Sequence, residues 1–386
     1  MTAPTAAAAP LATLAEAQAR ARRALPEPAY DYGAAGASDD SGRETGVLRN
    51  VARLDDRVLV PRVLAGAPSV DLSASVTGGG LTAPILVAPM GLQALFHREA
   101  ELSTAAAAAR LGLGFVQSMF SSRSIEEVAA VARDGLRWQQ IYLLRDPGLT
   151  ASVVARAEAA GAAALVVTAD VPLVGSRSRT ARHRFDRFAA VAPAIVEDPA
   201  FRELLARRRA SDPGCPSERL IDAVFPNPAA SWDDLARLCE GTRLPVLLKG
   251  VLDPRDARRA VECGAAGVVV STHGGRQSTL HPAAVDALAP VLAEVGSAVP
   301  VYFDSGVRSG QHVAVALALG ARAVLVGRPV LWGLAAGGQL GVEQVLSLLV
   351  DEVRRGMVLA GAPTVAALRG LVVLDERRSQ LAEARP

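Results

Sequence analysis

Lysine and aromatic side chains are scarce in this sequence of 386 residues. Aromatic residues make up 4% of the chain, and the 41 basic residues include a single lysine, Lys249. The core must therefore be built mainly from Ala, Val and Leu. Lys249 is either a leftover of compositional drift or a position that requires a compact ammonium group, which the planar guanidinium of arginine does not imitate.

Net charge, cysteine pairs and long apolar runs are scarce as well. The formal charge is only +2, which excludes a nucleic-acid-binding protein held by a strong basic field. Runs of roughly 20 apolar residues are interrupted by Arg and Asp, so we expect no membrane span. The sequence has an odd number of cysteines, and none of them belongs to a C-x-x-C motif: Cys215, Cys239 and Cys263. We therefore expect no disulfide framework and no metal site, and a reducing cytoplasm fits.

A short apolar run followed by an Ala-rich helical pattern recurs eight times from about residue 84. The runs lie at residues 85–89, 114–118, 137–142, 164–170, 245–250, 267–273, 300–306 and 323–329. Continuous Val/Leu/Ile runs are typical of parallel strands that are buried on both faces. The pattern predicts a (β/α)8 barrel, with a doubly wound sheet as the weaker alternative.

Helix signals between these runs agree with that prediction. Ser124-x-x-Glu127 is a capping box, and Asp253-Pro254 combines an N-cap with proline at the first helical position. Gly264 and Gly320 stand where helices are expected to end in a left-handed residue.

We expect a single domain over residues 1–386, with three segments outside the repeat. Residues 1–83 form an N-terminal extension that is helical around 11–25, and the barrel occupies residues 84–331. Residues 186–230 interrupt the barrel after its fourth strand, and their length predicts a lid or a disordered loop at the mouth of the site. Residues 332–386 are expected to form C-terminal helices and a tail.

Nearly every predicted strand ends in a polar or ionisable side chain, which core packing alone does not explain. Catalytic groups of barrel enzymes lie at these carboxyl ends. Gly306-Val307-Arg308 and Gly327-Arg328 follow the last two strands, the usual phosphate position in such barrels.

One motif identifies a family. The stretch Ser271-Thr272-His273-Gly274-Gly275-Arg276-Gln277 resembles the S-N-H-G-G-R-Q signature of the FMN-dependent α-hydroxy acid oxidases and dehydrogenases, such as glycolate oxidase, lactate oxidase and mandelate dehydrogenase. Further matches occur in the same order from residue 30 to about residue 370. They include Tyr30-Asp31-Tyr32, Gln140-Ile141-Tyr142, Thr168-Ala169-Asp170, Leu248-Lys249-Gly250 and Asp304-Ser305-Gly306-Val307-Arg308.

The resemblance implies oxidation of an L-2-hydroxy acid to a 2-keto acid with FMN as cofactor. It assigns the catalytic roles to His273 as general base, to Asp170 as the carboxylate that orients it, and to Lys249 beside the flavin. The substrate contacts that it assigns are Tyr32, Tyr142, Arg177, His273 and Arg276. The flavin contacts that it assigns are Pro89, Met90, Gly91, Ser118, Gln140, Tyr142, Thr168, Lys249, Ser271, Asp304, Ser305, Gly306, Val307, Arg308, Gly327 and Arg328.

The sequence departs from the family pattern at several of these positions. Thr272 replaces the usual Asn, Ser305 replaces a common Gly, and Phe120 stands where glycolate oxidase has Trp. The acidic residues that usually follow the substrate arginine are absent after Arg177. These departures favour a specialised 2-hydroxy acid as substrate.

Several alternatives remain open at this point. Another FMN barrel of the isopentenyl diphosphate isomerase type would share the phosphate site, and a catalytically silent flavin-binding protein would share the fold. Oxygen, a quinone or a carrier protein could each accept the electrons, and a free soluble oxidase is slightly favoured. The resemblance also implies a homo-oligomer, a tetramer in the family.

Overall fold

The computed structural model describes residues 10–66 and 69–376. The strands in these ranges are β1 (Arg57–Leu59), β2 (Ala74–Val76), β3 (Gly79–Leu81), β4 (Ile85–Val87), β5 (Gly114–Gln117), β6 (Arg137–Ile141), β7 (Ala164–Thr168), β8 (Val246–Val251), β9 (Gly267–Val270), β10 (Val301–Phe303), β11 (Val324–Val326) and β12 (Val373–Asp375).

The α-helices surround these strands. In chain order they are α1 (Leu14–Ala24), α2 (Glu27–Ala34), α3 (Thr45–Asp55), α4 (Ala100–Arg110), α5 (Ile125–Val131), α6 (Pro147–Ala159), α7 (Ser178–Ala181), α8 (Arg187–Ala190), α9 (Pro199–Ser211), α10 (Ser217–Val224), α11 (Trp232–Gly241), α12 (Pro254–Glu262), α13 (Ala284–Val295), α14 (Gly310–Ala318), α15 (Arg328–Ala360) and α16 (Val365–Arg369). Three 3-10 turns lie at Gln93–Leu95, Ala194–Glu197 and His273–Gly275.

Strands β4 to β11 close into a parallel barrel, and each corresponds to one of the eight predicted runs. The closure is made by β11 pairing with β4 and by β10 pairing with both β9 and β11. Central barrel residues such as Leu86, Val166 and Val269 are fully buried. The (β/α)8 prediction is therefore confirmed, and a closed barrel excludes the doubly wound sheet.

A hairpin of β2 and β3 closes the amino-terminal end of the barrel. The Trp138 indole N–H donates to the carbonyl oxygen of Thr77 at 3.0 Å, and the Tyr302 hydroxyl accepts from the Thr77 N–H at 2.9 Å. Both aromatic side chains belong to the interior cluster of the barrel. With this end sealed, the open carboxyl ends of the strands are left for the site.

The predicted helix signals are found where the sequence places them. Ser124 and Glu127 form a reciprocal capping box, and the Asp253 side chain accepts from the Arg255 N–H. Gly264 and Gly320 both have left-handed φ angles, of 89° and 117°. These signals depend on neighbouring residues only, and they predict helix ends well for that reason.

The insertion is helical rather than a disordered loop. Residues 186–230 contain α8, α9 and α10, and Phe201 and Ile221 within them are buried. The basic run at residues 207–209 lies on the exposed side of α9, as expected for a solvated helix face. Helix α9 packs against α6, and Phe201 and Ile221 belong to the same apolar cluster as α6 residues, which explains why the segment folds.

The division expected between residues 331 and 332 falls inside α15. This helix follows the last barrel strand and continues to Ala360, with non-helical backbone at Gly337 and Gly338. By length and composition α15 could span a membrane, but it packs against α1, α4 and α14 and buries Val330, Leu334 and other apolar residues. Apolar core helices share that composition, so it does not by itself indicate a membrane span.

Glu101 joins the loops that follow β4 and β5. Its Oε1 atom accepts from the N–H groups of Gln93 at 3.1 Å and Ser122 at 3.0 Å. Its Oε2 atom is buried and has no hydrogen-bond partner among the described residues. Burial raises the pKa of Glu101 from 4.5 to about 6, although the two N–H groups oppose the shift.

We expect Glu101→Gln to remove a pH dependence of stability. A carboxyl whose pKa is raised in the folded state stabilises fully below its unfolded pKa, and that contribution is lost as the pH rises through about 6. The free energy of unfolding of the wild type relative to Glu101→Gln should therefore fall by about 2 kcal/mol between pH 4 and pH 7.5. Urea titrations of both proteins at the two pH values measure this, and a constant difference contradicts it.

Candidate active site

One cavity at the carboxyl end of the barrel brings the predicted site residues together. The predicted residues that line it are Tyr32, Pro89, Met90, Gly91, Ser118, Gln140, Tyr142, Thr168, Arg177, Lys249, His273, Arg276, Asp304, Ser305, Gly306, Val307, Arg308, Gly327 and Arg328. Asp170 and Ser271 lie directly behind this surface and bind His273 and Lys249.

His273 and Asp170 form the pair that the sequence predicts. The His273 Nδ1 atom lies 3.0 Å from Asp170 Oδ1. Burial opposes ionisation of Asp170, but His273 and then Lys249 hold the pKa of this carboxyl below its ordinary value. An ionised carboxylate on Nδ1 leaves Nε2 as the ring nitrogen available to accept a proton.

Lys249 is buried at the end of β8, where a bulge shapes the strand. Its Nζ atom donates to Ser271 Oγ at 2.7 Å and lies 2.8 Å from Asp304 Oδ2. The bulge falls at Gly250, whose φ is 105°. A Cβ atom at Gly250 would lie 2.6 Å from the Cβ atom of Asp170. Glycine at this position therefore lets the lysine and the carboxylate side chain occupy adjacent strand ends.

Two arginines and two tyrosines face the cavity near His273. Arg276 Nη1 donates to the carbonyl oxygens of Tyr32 and Ala35, at 3.0 and 2.6 Å. Arg177 Nε is buried without a partner in the described part of the chain. Burial, followed by the charge of Arg276, lowers the pKa of Arg177 to about 9. An anion bound here would stabilise both guanidinium groups, since neither has a carboxylate hydrogen-bonded to it in the described ranges.

Burial and the charge of Asp170 raise the pKa of Tyr142 above its ordinary value. Its hydroxyl group therefore remains protonated and available as a donor.

Further residues of the same cavity fit FMN. Gln140 uses Oε1 to accept from the Met119 N–H at 3.1 Å, while its Nε2 atom is buried and has no partner within the described ranges. That unsatisfied donor suits the carbonyl-rich edge of a flavin. Arg328 donates to the carbonyl oxygens of Gly33, Gly274 and Ala35 at 2.8–3.1 Å.

Burial lowers the pKa of Arg308 to about 10 and that of Arg328 well below its ordinary value. Two neighbouring, half-buried guanidinium groups suit a phosphate. Gly274 has φ 66°, and a Cβ atom there would lie 2.8 Å from Arg328 Nη1, so a larger residue would displace this arginine.

The sequence prediction missed the acids that hold the Arg177 segment in place. These acids, Glu44 and Asp31, belong to the N-terminal extension. Glu44 binds both Nε and Nη2 of Arg179, at 3.0 and 2.9 Å. Asp31, which is 1% exposed, accepts from Arg182 at 2.6 Å and lies 2.8 Å from His183 Nε2. We call residues 176–183 the strap, and these contacts fasten it to α2 and to the N-cap residue of α3.

Glu27, Asp31 and His183 are also close enough together to suggest a metal site. Arg182 already donates to both carboxylates, at 3.1 and 2.6 Å. The hydrogen bonds that Arg182 and His183 make to Asp31 are sufficient to explain the cluster, because they satisfy the buried carboxylate.

An aromatic wall completes the cavity, and the sequence prediction missed most of it. Phe120 packs against Phe188 and Phe225 with ring centroids 5.9 and 5.0 Å apart, and Phe225 lies 4.4 Å from Tyr142. Phe188 and Phe225 belong to the insertion, which therefore supplies one side of the mouth. The length of the insertion was the available signal, but it did not indicate which residues face inward.

Known proteins resemble this chain in both sequence and architecture. Residues 21–374 match the family of FMN-dependent dehydrogenases. L-lactate oxidase of Nostoc sp. is 43% identical over 347 residues, which cover 88% of this chain and 92% of that protein. The 4-hydroxymandelate oxidase of Amycolatopsis orientalis is 40% identical over 359 residues, covering 93% and 97%.

Solved structures agree with the sequence relatives. The crystal structure of mandelate oxidase with benzoyl-formic acid is 39% identical, covers 94% of this chain and 98% of that chain, and has a TM-score of 0.83. Sequence, fold and cavity agree, and the chain belongs to the family of FMN-dependent α-hydroxy acid oxidases.

Proposed function

We propose that this enzyme oxidises an L-2-hydroxy acid that carries an aromatic side chain and that it passes the electrons to oxygen. The aromatic wall supports the substrate class: Phe120, Phe188 and Phe225 line the cavity that also holds His273 and the arginine pair. A ring-sized apolar group would be buried against this wall, whereas glycolate has nothing to place there.

The substrate carboxylate binds between Arg177 and Arg276. Both guanidinium groups are depleted of solvent, and Arg177 Nε has no other partner among the described residues. Charge-assisted hydrogen bonds to a carboxylate are strong in such surroundings and fix its orientation. Tyr32 and Tyr142 supply hydroxyl donors on the same side of the cavity.

His273 acts as the general base. Its Nε2 atom accepts the proton that the substrate releases, and Asp170 stabilises the imidazolium that forms. FMN, when bound, supplies the two-electron acceptor for the reaction. Lys249, paired with Asp304 and Ser271, places a buried ammonium group in the same cavity. Its positive charge would favour the reduced cofactor, which carries more negative charge than the oxidised one.

The choice of oxygen, the cytoplasm and a homo-oligomer are parts of the same proposal. Several relatives are named as oxidases, and oxygen is the acceptor of that class. Three free cysteines suit a reducing compartment.

An isomerase of the isopentenyl diphosphate type would have no need of a histidine–carboxylate pair beside two arginines, and a silent flavin protein would have no need of it either.

Anaerobic reduction of the bound flavin by a panel of acids tests the substrate class. Burying an additional ring should give mandelate or 3-phenyllactate a roughly 10- to 100-fold larger kred/Kd than glycolate. His273→Gln should still bind FMN but should be reduced at least about 100-fold more slowly. Admission of air should then restore the oxidised spectrum within one turnover time. Equal efficiency with glycolate contradicts the substrate class, and slow reoxidation by air contradicts the choice of oxygen.

Asp31→Asn should loosen the strap. The change removes the charge that holds Arg182 and His183, so local opening should become roughly 5- to 30-fold more frequent. We expect the KM for the hydroxy acid to rise about twofold or more, with little change in kcat, because Arg177 would be held less firmly in the position that binds the carboxylate. Trypsin should cleave faster after the strap arginines, as mapped by mass spectrometry. Asp39→Asn is the matched control, since Asp39 pairs with the exposed Arg43 instead. An unchanged KM together with unchanged cleavage contradicts this role of Asp31.

A further inference from the structure

The hydroxyl group of Ser305 is fully engaged inside the protein. It donates to Asp304 Oδ1 at 2.8 Å, and it accepts from the N–H groups of Thr272 at 3.1 Å and Gly274 at 3.0 Å. A serine hydroxyl has one proton and two lone pairs. Its capacity is therefore filled, and the side chain cannot also bind the flavin or its phosphate. The contact that family resemblance assigns to this residue is left to its backbone.

The two amides that bind this hydroxyl are on either side of His273. The N–H of His273 itself donates to Ser271 Oγ at 3.0 Å. Three consecutive amides are thus held by two serine hydroxyls. His273 has a φ of 55°, a left-handed conformation that is unfavourable for a residue other than glycine. The position of the base therefore depends on contacts that hold this turn.

The same two serines are bound to the buried ion pair. Ser271 Oγ accepts from Lys249 Nζ at 2.7 Å, while Ser305 binds one oxygen of Asp304 and Lys249 binds the other at 2.8 Å. A closed ring results: ammonium, carboxylate, Ser305, the His273 turn, Ser271 and back to the ammonium. Each serine connects the charge near the flavin with the base.

Ser305 also has an unfavourable backbone conformation of its own. Its φ is 83°, which glycine adopts without strain and serine does not. Glycine is common at this position in the family pattern described above. The backbone of Ser305 is strained, while its hydroxyl group makes all the hydrogen bonds it can make. The function of this hydroxyl best explains why serine occupies the position.

We propose that Ser305 is a positioning residue whose hydroxyl couples the Lys249–Asp304 pair to the His273 turn. By donating to Asp304, it weakens the hold of this carboxylate on the ammonium, so that more of the positive charge of Lys249 is available to the flavin. By accepting from two amides, it keeps the imidazole aimed at the substrate. The inference deepens the proposed function and rests on it.

Two variants separate the hydroxyl from the backbone strain. Ser305→Ala removes the hydroxyl and keeps the strain, whereas Ser305→Gly removes both. If the hydroxyl acts as proposed, both variants should show the same functional loss. The glycine variant should nevertheless be the more stable of the two, because it alone relieves the backbone strain. The glycine variant keeps the test decisive if the alanine variant folds poorly.

The readouts are the dissociation constant of sulfite from the oxidised flavin and the rate of anaerobic flavin reduction. Sulfite binds oxidised flavin more tightly where a positive charge faces the ring, so its dissociation constant should rise about 10-fold in both variants. The reduction rate at saturating hydroxy acid should fall about 10-fold in both. The affinity for FMN, measured by fluorescence quenching, and the KM should stay within about twofold, since the hydroxyl touches neither ligand.

Wild-type sulfite affinity and reduction rate in Ser305→Gly overturn the proposal, whatever happens to stability. A large loss of FMN affinity in both variants also overturns it, because the hydroxyl would then contact the cofactor. The sulfite titration needs no substrate. If no 2-hydroxy acid reduces the wild-type flavin, the proposed function fails, while the sulfite comparison still decides the role of Ser305.

Discussion

The ion pair between Lys249 and Asp304 is the constraint on which the site depends. The two residues are 4% and 6% exposed, at the ends of strands that are separated by β9. A buried pair is costly unless further hydrogen bonds satisfy each charge. Ser271 and Ser305 supply these bonds, and both also bind the turn that carries His273. The hydroxyl groups that satisfy the buried ion pair therefore also fix the position of His273.

The barrel makes this arrangement possible because parallel strands end at a common rim. The hairpin at the other end seals the interior, so the cavity that holds the ionisable site residues opens at the carboxyl ends of the strands. Small residues at the rim then allow close approach, as Gly250 does beside Asp170. The N-terminal extension adds Tyr32 and the acids that fasten the strap, and the insertion adds the aromatic wall. The chemistry of the rim and the shape of the mouth therefore come from different parts of the chain.

The sequence was sufficient to predict the barrel and to name most of the residues that line the candidate site. Continuous apolar runs and local capping signals depend on near neighbours, and the eight strands and the Ser124 box follow from them. Motif resemblance named His273 and the arginines, which line one cavity, and Asp170, which lies behind that surface and binds His273. Asp31 and Glu44 escaped prediction as strap acids because their partners lie 135 to 152 residues away in sequence. The inward direction of Phe188 and Phe225 depends on how the insertion folds back, which no local pattern encodes. The boundary predicted at residue 331 falls inside α15, because this helix continues through it and packs on α1 and α4.

The single lysine of the sequence lies where a compact ammonium binds both Asp304 and Ser271. The most direct measurement is the rate at which a 2-hydroxy acid reduces FMN bound to Lys249→Arg under anaerobic conditions, compared with the wild type and with Lys249→Met. Because a guanidinium is planar and broader than an ammonium, we expect it not to reproduce the bonds of Lys249 to Asp304 and Ser271, so the arginine variant should resemble the methionine variant. Both should lose about 100-fold or more in rate, as expected when a buried group that stabilises developing charge is removed. A wild-type rate in Lys249→Arg would contradict the account and would leave the single lysine as a leftover of composition.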